Sequence, residues 1–341
     1  MPSLKSLRLR IRSITSTQKI IKAMQMISAS RLRQVRNYAD NIVTYKDSLE
    51  LLTQRVFKDS QLDLSNQFWA KSFAALKYVV ETKQHLPASL TKTINRDSRA
   101  KLLIFITTER GLCGSYNSQL IRRVGRYLEE QNTTISAICI GKKGHDILKK
   151  NPKVTIISEP LPSLKSKSLE YSEASKLIIE PILAELAKSN FSSCDIVYTQ
   201  YISTLVQKPV CLKLMPFDTI FDMDRNKIND NELQLGNIES SIAKVANQAI
   251  KTQQPEPLYE PKIEHILPTL LYQYIETIFY EVIIESLLSE HASRMVAMDG
   301  AYRNSKKILD RLNSQYNRGR QSNITRELIE IISGNDAIQT G

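Results

Sequence analysis

From Leu4 onward, apolar side chains return in steps of three and four: Leu4, Leu7, Ile11, Ile14, Ile21, Met24, Val35, Tyr38, Ile42, Tyr45, Leu49, Leu52 and Val56, with polar beats at Gln18, Ser28 and Arg31. That rhythm is the a/d seam of a coiled-coil helix. No Pro follows Pro2 within it, and no Gly interrupts it. At 1.5 Å per residue it predicts a helix of roughly 80 Å, far longer than a globular core needs. The other end of the chain repeats the pattern through Leu267, Leu271, Tyr274, Ile278, Val282, Leu288, Ala292, Met295, Tyr302, Leu309, Leu312, Tyr316, Leu328 and Ile332. Pro268 suits the first turn of this helix, and Ser333-Gly334-Asn335 predicts its stop. Two long helices with one apolar stripe each, at opposite ends of the chain, pair most simply as an antiparallel coiled coil.

Between them the period changes. Lys101–Thr107 is a continuous apolar run of β type, followed by Gly111-Leu-Cys-Gly114 and a helical stretch to Glu130. Strands at 135–140 and 154–157, a turn Gly141-Lys-Lys-Gly144 opening a short helix, a helix over Leu169–Lys188, and strands at 195–202 and 209–214 complete the series. Strands apolar throughout and alternating with helices predict a mostly parallel, doubly covered sheet. The fold class is therefore α/β: a long antiparallel coiled coil plus a central Rossmann-like β/α domain. The expected division is 1–57 for the first helix, 58–99 a connecting segment and 100–223 the α/β domain. A polar insertion at 224–260, the second helix at 261–334 and a tail at 335–341 follow. Lys58–Arg99 and Asp224–Pro257 give no clear period.

Charge sharpens this picture. The net charge is +12, but nine cations (Lys5, Arg8, Arg10, Arg12, Lys19, Lys22, Arg31, Arg33, Arg36) precede Asn37 with no acid among them. Without those nine, 38 basic side chains face 35 acidic ones, so the basicity is local to the first helix. Such a stretch suits nucleic acid, an anionic membrane or an acidic protein surface. It also mimics a mitochondrial transit peptide, but a cleaved leader would not hold heptad register and run on into a long helix. Cys113, Cys139, Cys194 and Cys211 lie in or beside apolar runs with no CxxC spacing, which predicts small buried hydrophobes rather than disulfides. No apolar run is long enough to span a membrane.

Candidate chemistry is sparse. The loop Thr108–Gly114 follows a strand and precedes a helix, the place where phosphates bind in doubly wound folds. It is neither G-x-G-x-x-G nor a Walker loop. The glycines are expected to serve the turn, and Glu109 and Arg110 are poised for a simple ion pair. Gly141-Lys-Lys-Gly144 resembles a phosphate grip, yet reads as an exposed turn with solvated lysines. No paired carboxylates, nucleophile–base order or metal-ligand spacing stands out. Met24, Met26, Met295 and Met298, near the middle of the two helices, are adaptable core filler or a surface that slides against changing partners.

Three stretches then resemble one family, in the right order: 13–32, from Ser13-Ile-Thr-Ser-Thr-Gln-Lys through Ala-Met-Gln-Met to Leu32; Glu109-Arg-Gly-Leu-Cys-Gly-Ser-Tyr-Asn117; and 289–301 with 316–334 near the C-terminus. They are similar to the gamma subunit of F-type ATP synthase, over about 250 residues. The resemblance implies a non-catalytic rotor shaft without cofactors, standing inside a hexamer of alpha and beta subunits. Its α/β foot would rest with epsilon on the membrane c-ring. By motif position it implies beta-subunit contacts for Lys19, Lys22 and Met24, and for Arg320, Gln321 and Thr325. It implies a peripheral protein of the bacterial inner membrane, cytoplasmic side, since the first motif begins too near Met1 for a transit peptide. Tyr272-Gln273 stand where some relatives carry a basic pair, and the paired-cysteine insertion of chloroplast relatives is absent. The alternatives are a nucleic-acid-binding coiled coil using the basic end as a phosphate clamp, and a Rossmann-type enzyme with helical appendages.

Overall fold

The computed structural model describes residues 3–59, 101–131, 133–164, 170–188, 191, 193–215, 259–260 and 263–339. Two helices dominate it. The first, α1 (Leu4–Asp59), has 56 residues, and the last, α6 (Ile263–Gln339), has 77. They run antiparallel. Gly319 of α6 lies at the level of Leu4, Asp299 bonds Gln25, and Glu281 bonds Lys46.

Heptad spacing explains which face of α1 is covered. Residues 4, 7, 11, 14, 18, 21, 25, 28, 32, 35, 39, 42, 46, 49, 53 and 56 alternate steps of three and four without a break, and all are buried or half-buried. This corrects the expected seam from Met24 onward: Gln25 takes that beat, and Met24 moves to the flank. Tyr45 and Leu52 point outward, 48% and 50% exposed, while Lys46 and Thr53 take their places. The reason is strict periodicity: Ala39, small but apolar, holds the beat that Tyr38 was expected to fill. The polar intruders are satisfied, since Thr53 donates to the Leu49 carbonyl at 2.6 Å and Lys46 meets Glu281 at 2.5 Å. Arg31 is likewise displaced from the seam by Leu32.

Nor does the second helix stop at Ser333-Gly334-Asn335; it continues to Gln339. A glycine inside a helix costs only about 1 kcal/mol, too little to force an end without a capping partner. Leu328 and Ile332 hold seam positions but are 54% and 59% exposed, because α1 ends at Leu4 and, among the described residues, no second helix reaches that level. Lys58 and Asp59 close α1; the remainder of Lys58–Arg99 and all of Asp224–Pro257 lie outside the described residues.

The sheet domain follows the predicted alternation closely. In chain order come β1 (Lys101–Ile106), α2 (Tyr116–Glu130), β2 (Ile135–Ile140), α3 (Lys142–Leu148) and β3 (Val154–Ile156). Then α4 (Tyr171–Ala174) passes through a π-helical turn (Ser175–Ile179) into α5 (Glu180–Lys188), before β4 (Ser193–Tyr201) and β5 (Gln207–Met215). The sheet order is β3-β2-β1-β4-β5, parallel except for the β4–β5 hairpin. Pro209, which has no amide proton, is tolerated because β5 is an edge strand.

Both faces are buried, as apolar parallel strands require. Leu103, Phe105, Ala137 and Cys139 pack under Tyr116, Leu120, Val124 and Leu128 of α2. Leu102, Ile104, Ile138 and Ile196 face the other way, against Ile178 and Ile182 and the shaft residues Ile275, Phe279, Val282 and Ile283. The lower part of α6 is thus core on several sides at once. All four cysteines are free, three buried and Cys211 half-buried, as small hydrophobes would be. Burial pushes the Cys139 thiol up to about 12, which keeps it protonated and inert.

Candidate functional site: the shaft and its junction with the sheet

In a doubly wound sheet, ligands bind at the carboxyl ends of the strands where the chain order reverses. Here that point lies between β1 and β4, and α6 crosses it. Tyr116 Oη sits 2.8 Å from Ser286 Oγ. Ser289 Oγ donates to the Thr199 carbonyl at 3.1 Å. A Cβ on Gly114 would come 3.4 Å from the Ala297 methyl, so the loop after β1 is flush against the helix. What remains between Ile106, Tyr116, Ile140, Ser286 and Glu290 is a cavity of about 10 Å³, room for about one water. The crevice that would take a nucleotide is occupied by the chain's own helix.

The second phosphate-like motif is also committed internally. The Gly141 amide donates to the Leu161 carbonyl at 2.9 Å, the Lys143 amide to the Thr108 carbonyl at 3.3 Å, and the Gly144 amide to Thr107 Oγ1 at 2.8 Å. Both glycines answer a steric demand. A Cβ at Gly141, where φ is +87°, would lie 2.3 Å from the Thr107 carbonyl oxygen. One at Gly144 would lie 2.7 Å from the Phe105 ring. Lys142 and Lys143 are exposed as expected, but the glycines flanking them are buried. Glu109 turns to the Ser163 amide, accepting at 3.1 Å.

One polar cluster at this junction escaped the sequence reading. Glu290 is buried and pairs with Arg294 at 2.7 Å, and Arg294 Nη1 approaches His291 Nδ1 at 3.5 Å. Burial raises the Glu290 carboxyl from its ordinary value, against the pull of Arg294. Burial, aided by Arg294 and Arg31, lowers the His291 imidazole to about 4 and keeps it neutral. Nothing in one sequence marks these as buried, because two of the three are charged residues on a helix that elsewhere shows such groups to solvent. Further down α6, Glu276 accepts from Ser175 in the π turn, which aims that hydroxyl at the shaft.

The six residues singled out by motif fall at two separate levels of the shaft. Lys19 and Lys22 are exposed and Met24 is half-buried at the flank of the seam. Lys22 Nζ bonds Gln25 Oε1 at 3.0 Å and lies 5.2 Å from the centre of the Tyr302 ring, a cation–π contact across the two helices. Arg320, Gln321 and Thr325 are exposed on α6, and the Thr325 hydroxyl folds back on the Gln321 carbonyl at 3.0 Å. From Tyr302 to Arg320 is roughly 27 Å along the helix, so the two groups do not form one site. Of the methionines, Met298 is buried, Met24 and Met295 are half-buried, and Met26 is exposed.

A family model described as ATP synthase matches residues 3–338. The ATP synthase gamma chain of Pelagibacter ubique is 30% identical over 341 residues, covering 99% of this chain and 100% of that one. That of Rhodospirillum rubrum is 33% identical over 346 residues, with the same coverage. The chain belongs to the ATP synthase gamma-chain family. As a gamma chain it is a non-catalytic subunit of that complex. Among solved structures, it resembles a chain of the Euglena gracilis mitochondrial ATP synthase, in an assembly of OSCP, F1 and c-ring. The TM-score is 0.57 with 20% identity, covering 99% of this chain and 95% of that one. A second likeness, to a chain of the rotor of the same enzyme, has a TM-score of 0.52 at 17% identity. These distant likenesses establish the shared fold: a gamma chain's paired terminal helices on an α/β foot.

Proposed function

We propose that this gamma chain is the shaft of a proton-translocating F-type ATP synthase, coupling rotation of a membrane c-ring to ATP synthesis or hydrolysis at a hexamer of alpha and beta subunits. The observation that carries the reading is the rod. An antiparallel pair built from the two ends of the chain stands on a sheet domain whose nucleotide crevice its own helix fills. Such a body transmits torque and does no chemistry. The foot is assigned to epsilon and the c-ring. Among the described residues no helix is long and apolar enough to cross a membrane. On this reading the chain sits peripherally on the cytoplasmic side of a bacterial inner membrane.

Lys19, Lys22 and Met24 at one level, and Arg320, Gln321 and Thr325 at another, are assigned to beta-subunit contacts. Cations on a shaft attract acidic levers at short range without one fixed partner, which is what a turning element needs. The deciding experiment is reconstitution with alpha and beta subunits and the membrane sector. One copy per three beta subunits, with ATP-driven proton pumping that depends on this chain, is the expected result. Salt-sensitive binding to nucleic acid with no incorporation into the hexamer would replace the reading with a phosphate-clamp coiled coil.

A further inference from the structure

The seam of the shaft is not uniformly apolar: Ser28 and Thr53 bond carbonyls of their own helix, but two polar beats pair across to α6. Gln25 Nε2 donates to Asp299 Oδ1 at 2.9 Å, and Lys46 Nζ reaches Glu281 Oε1 at 2.5 Å. Lys46 occupies a strict seam position between Ile42 and Leu49, both buried, and its own side chain is only 24% exposed. We propose that Lys46, tied to Glu281, is the residue that fixes the axial register of the two shaft helices, with Gln25–Asp299 as the second tie.

Register needs fixing here for a physical reason. An apolar heptad seam looks nearly the same after a slide of seven residues, so hydrophobic burial alone tolerates the slip. The α6 helix cannot slide, because Tyr116, Thr199 and the π turn hold it to the sheet. Among the described residues α1 packs chiefly on α6, so the interface of the two helices governs its position along the axis. A shift of one heptad carries the Lys46 ammonium from the level of Glu281 either to that of Tyr274, which is buried, or to that of Leu288, also buried, where the carboxylate within a turn, Glu285, is already bonded to Tyr198. An unpaired ammonium there is strongly unfavourable, whereas every apolar beat would still find a partner. The single buried polar residue of a coiled coil sets register by the same logic.

The surroundings direct the ammonium to one carboxylate. Glu285, one turn along α6, also faces Lys46, but it is hydrogen-bonded to Tyr198 of β4. Glu281 is thus the carboxylate left for α1, and Glu285 the one given to the sheet. The two ties are 21 residues apart on α1, about 32 Å, so together they resist both sliding and local unwinding.

The test measures register directly. Spin labels are placed at Thr44 and Lys307, both exposed, in a chain whose half-buried Cys211 is replaced by Ser, and the labelled chain is assembled with alpha and beta subunits and the membrane sector. The parent is expected to give one narrow distance, roughly 40 Å. Lys46→Met is expected to add a second population displaced by about 10 Å, one heptad, and to lower the protons pumped per ATP hydrolysed. Lys46→Arg should keep the single distance, and Lys46→Glu combined with Glu281→Lys should restore it. A single unshifted distance in Lys46→Met overturns the proposal. If Lys46→Met does not accumulate, the charge-swapped pair decides, and its failure to give one distance is likewise fatal. The pumping readout rests on the rotor reading, but the distance does not, so the two ideas can fail separately.

Discussion

At the residue scale, the junction of foot and shaft holds two groups whose protonation opposes each other in stability. Burial first, then the neighbouring Glu281, pushes the Glu285 carboxyl from 4.5 up to about 7, against the hydrogen bond from Tyr198 and the charge of Lys46. The folded chain therefore keeps a proton that the unfolded chain releases, and stability is lost as pH rises from about 4.5 through about 7. The shift corresponds to at most ~3 kcal/mol. Glu285→Gln should melt higher than the parent at pH 8 and no higher at pH 4, read by calorimetry. His291 works in the other direction. Lowered from 6.5 to about 4, it leaves stability intact above 6.5 and withdraws it as pH falls through about 4. His291→Gln should flatten the acid limb of the stability curve while leaving its alkaline limb alone. An acid limb unchanged in that variant would mean the imidazole is hydrated rather than buried.

At the element scale, the two shaft helices are unequal partners. Level with Leu4 of α1, Gly319 still belongs to a paired structure, but residues 324–332 of α6 are exposed on all sides. Their stability comes from propensity and from continuity with the packed helix below, since no packing among the described residues supports them. Ending the chain after Asn323 should remove helical signal in proportion to the residues lost and move Tm by under ~2 °C, because exposed positions contribute little. Ending it after Gln315 should cost more, since Tyr316 and Gly319 are half-buried and Gly319 packs beside Leu4. Circular dichroism and melting of the two truncations distinguish these outcomes. In both, the foot and the lower shaft should remain folded.

At the scale of the whole molecule, the proposed coupling requires a shaft that holds no angle in preference to the others. Met24 lies at the flank of the seam, close to the level where Lys22 rests on Tyr302. Met24→Lys sets a second ammonium there. If the proposed beta-subunit contact at this level is acidic, that ammonium would gain an ion pair worth ~1–3 kcal/mol where partly desolvated, favouring one rotational position. The expected complex assembles and hydrolyses ATP but pumps protons poorly, measured on the same membranes. Loss of assembly together with pumping would leave Met24 as packing alone.

The two long helices were legible because a coiled coil repeats every 3.5 residues along the backbone, and the strands because each is a short unbroken apolar run, as burial on both faces requires. Strand after strand fell within a few residues of its expected bounds for that reason. The level of Lys22 and Met24 could be named from motif, yet Gln25, the residue beside them that crosses to Asp299, is passed over because the pattern puts the apolar Met24 on that beat. Tertiary structure decided the rest. Tyr45 and Leu52 are more apolar than Lys46 and Thr53, and composition alone puts them inside. They stand outside because Ala39 keeps the beat and because α6 supplies Glu281 at the height where the ammonium arrives. Glu290, His291 and Arg294 are buried where α6 crosses the carboxyl ends of the central strands, Glu290 lining a small cavity with Ile106, Tyr116 and Ile140. Whether a polar side chain is inside depends on what faces it across the interface, and that neighbour, in this shaft, lies more than two hundred residues away in the chain.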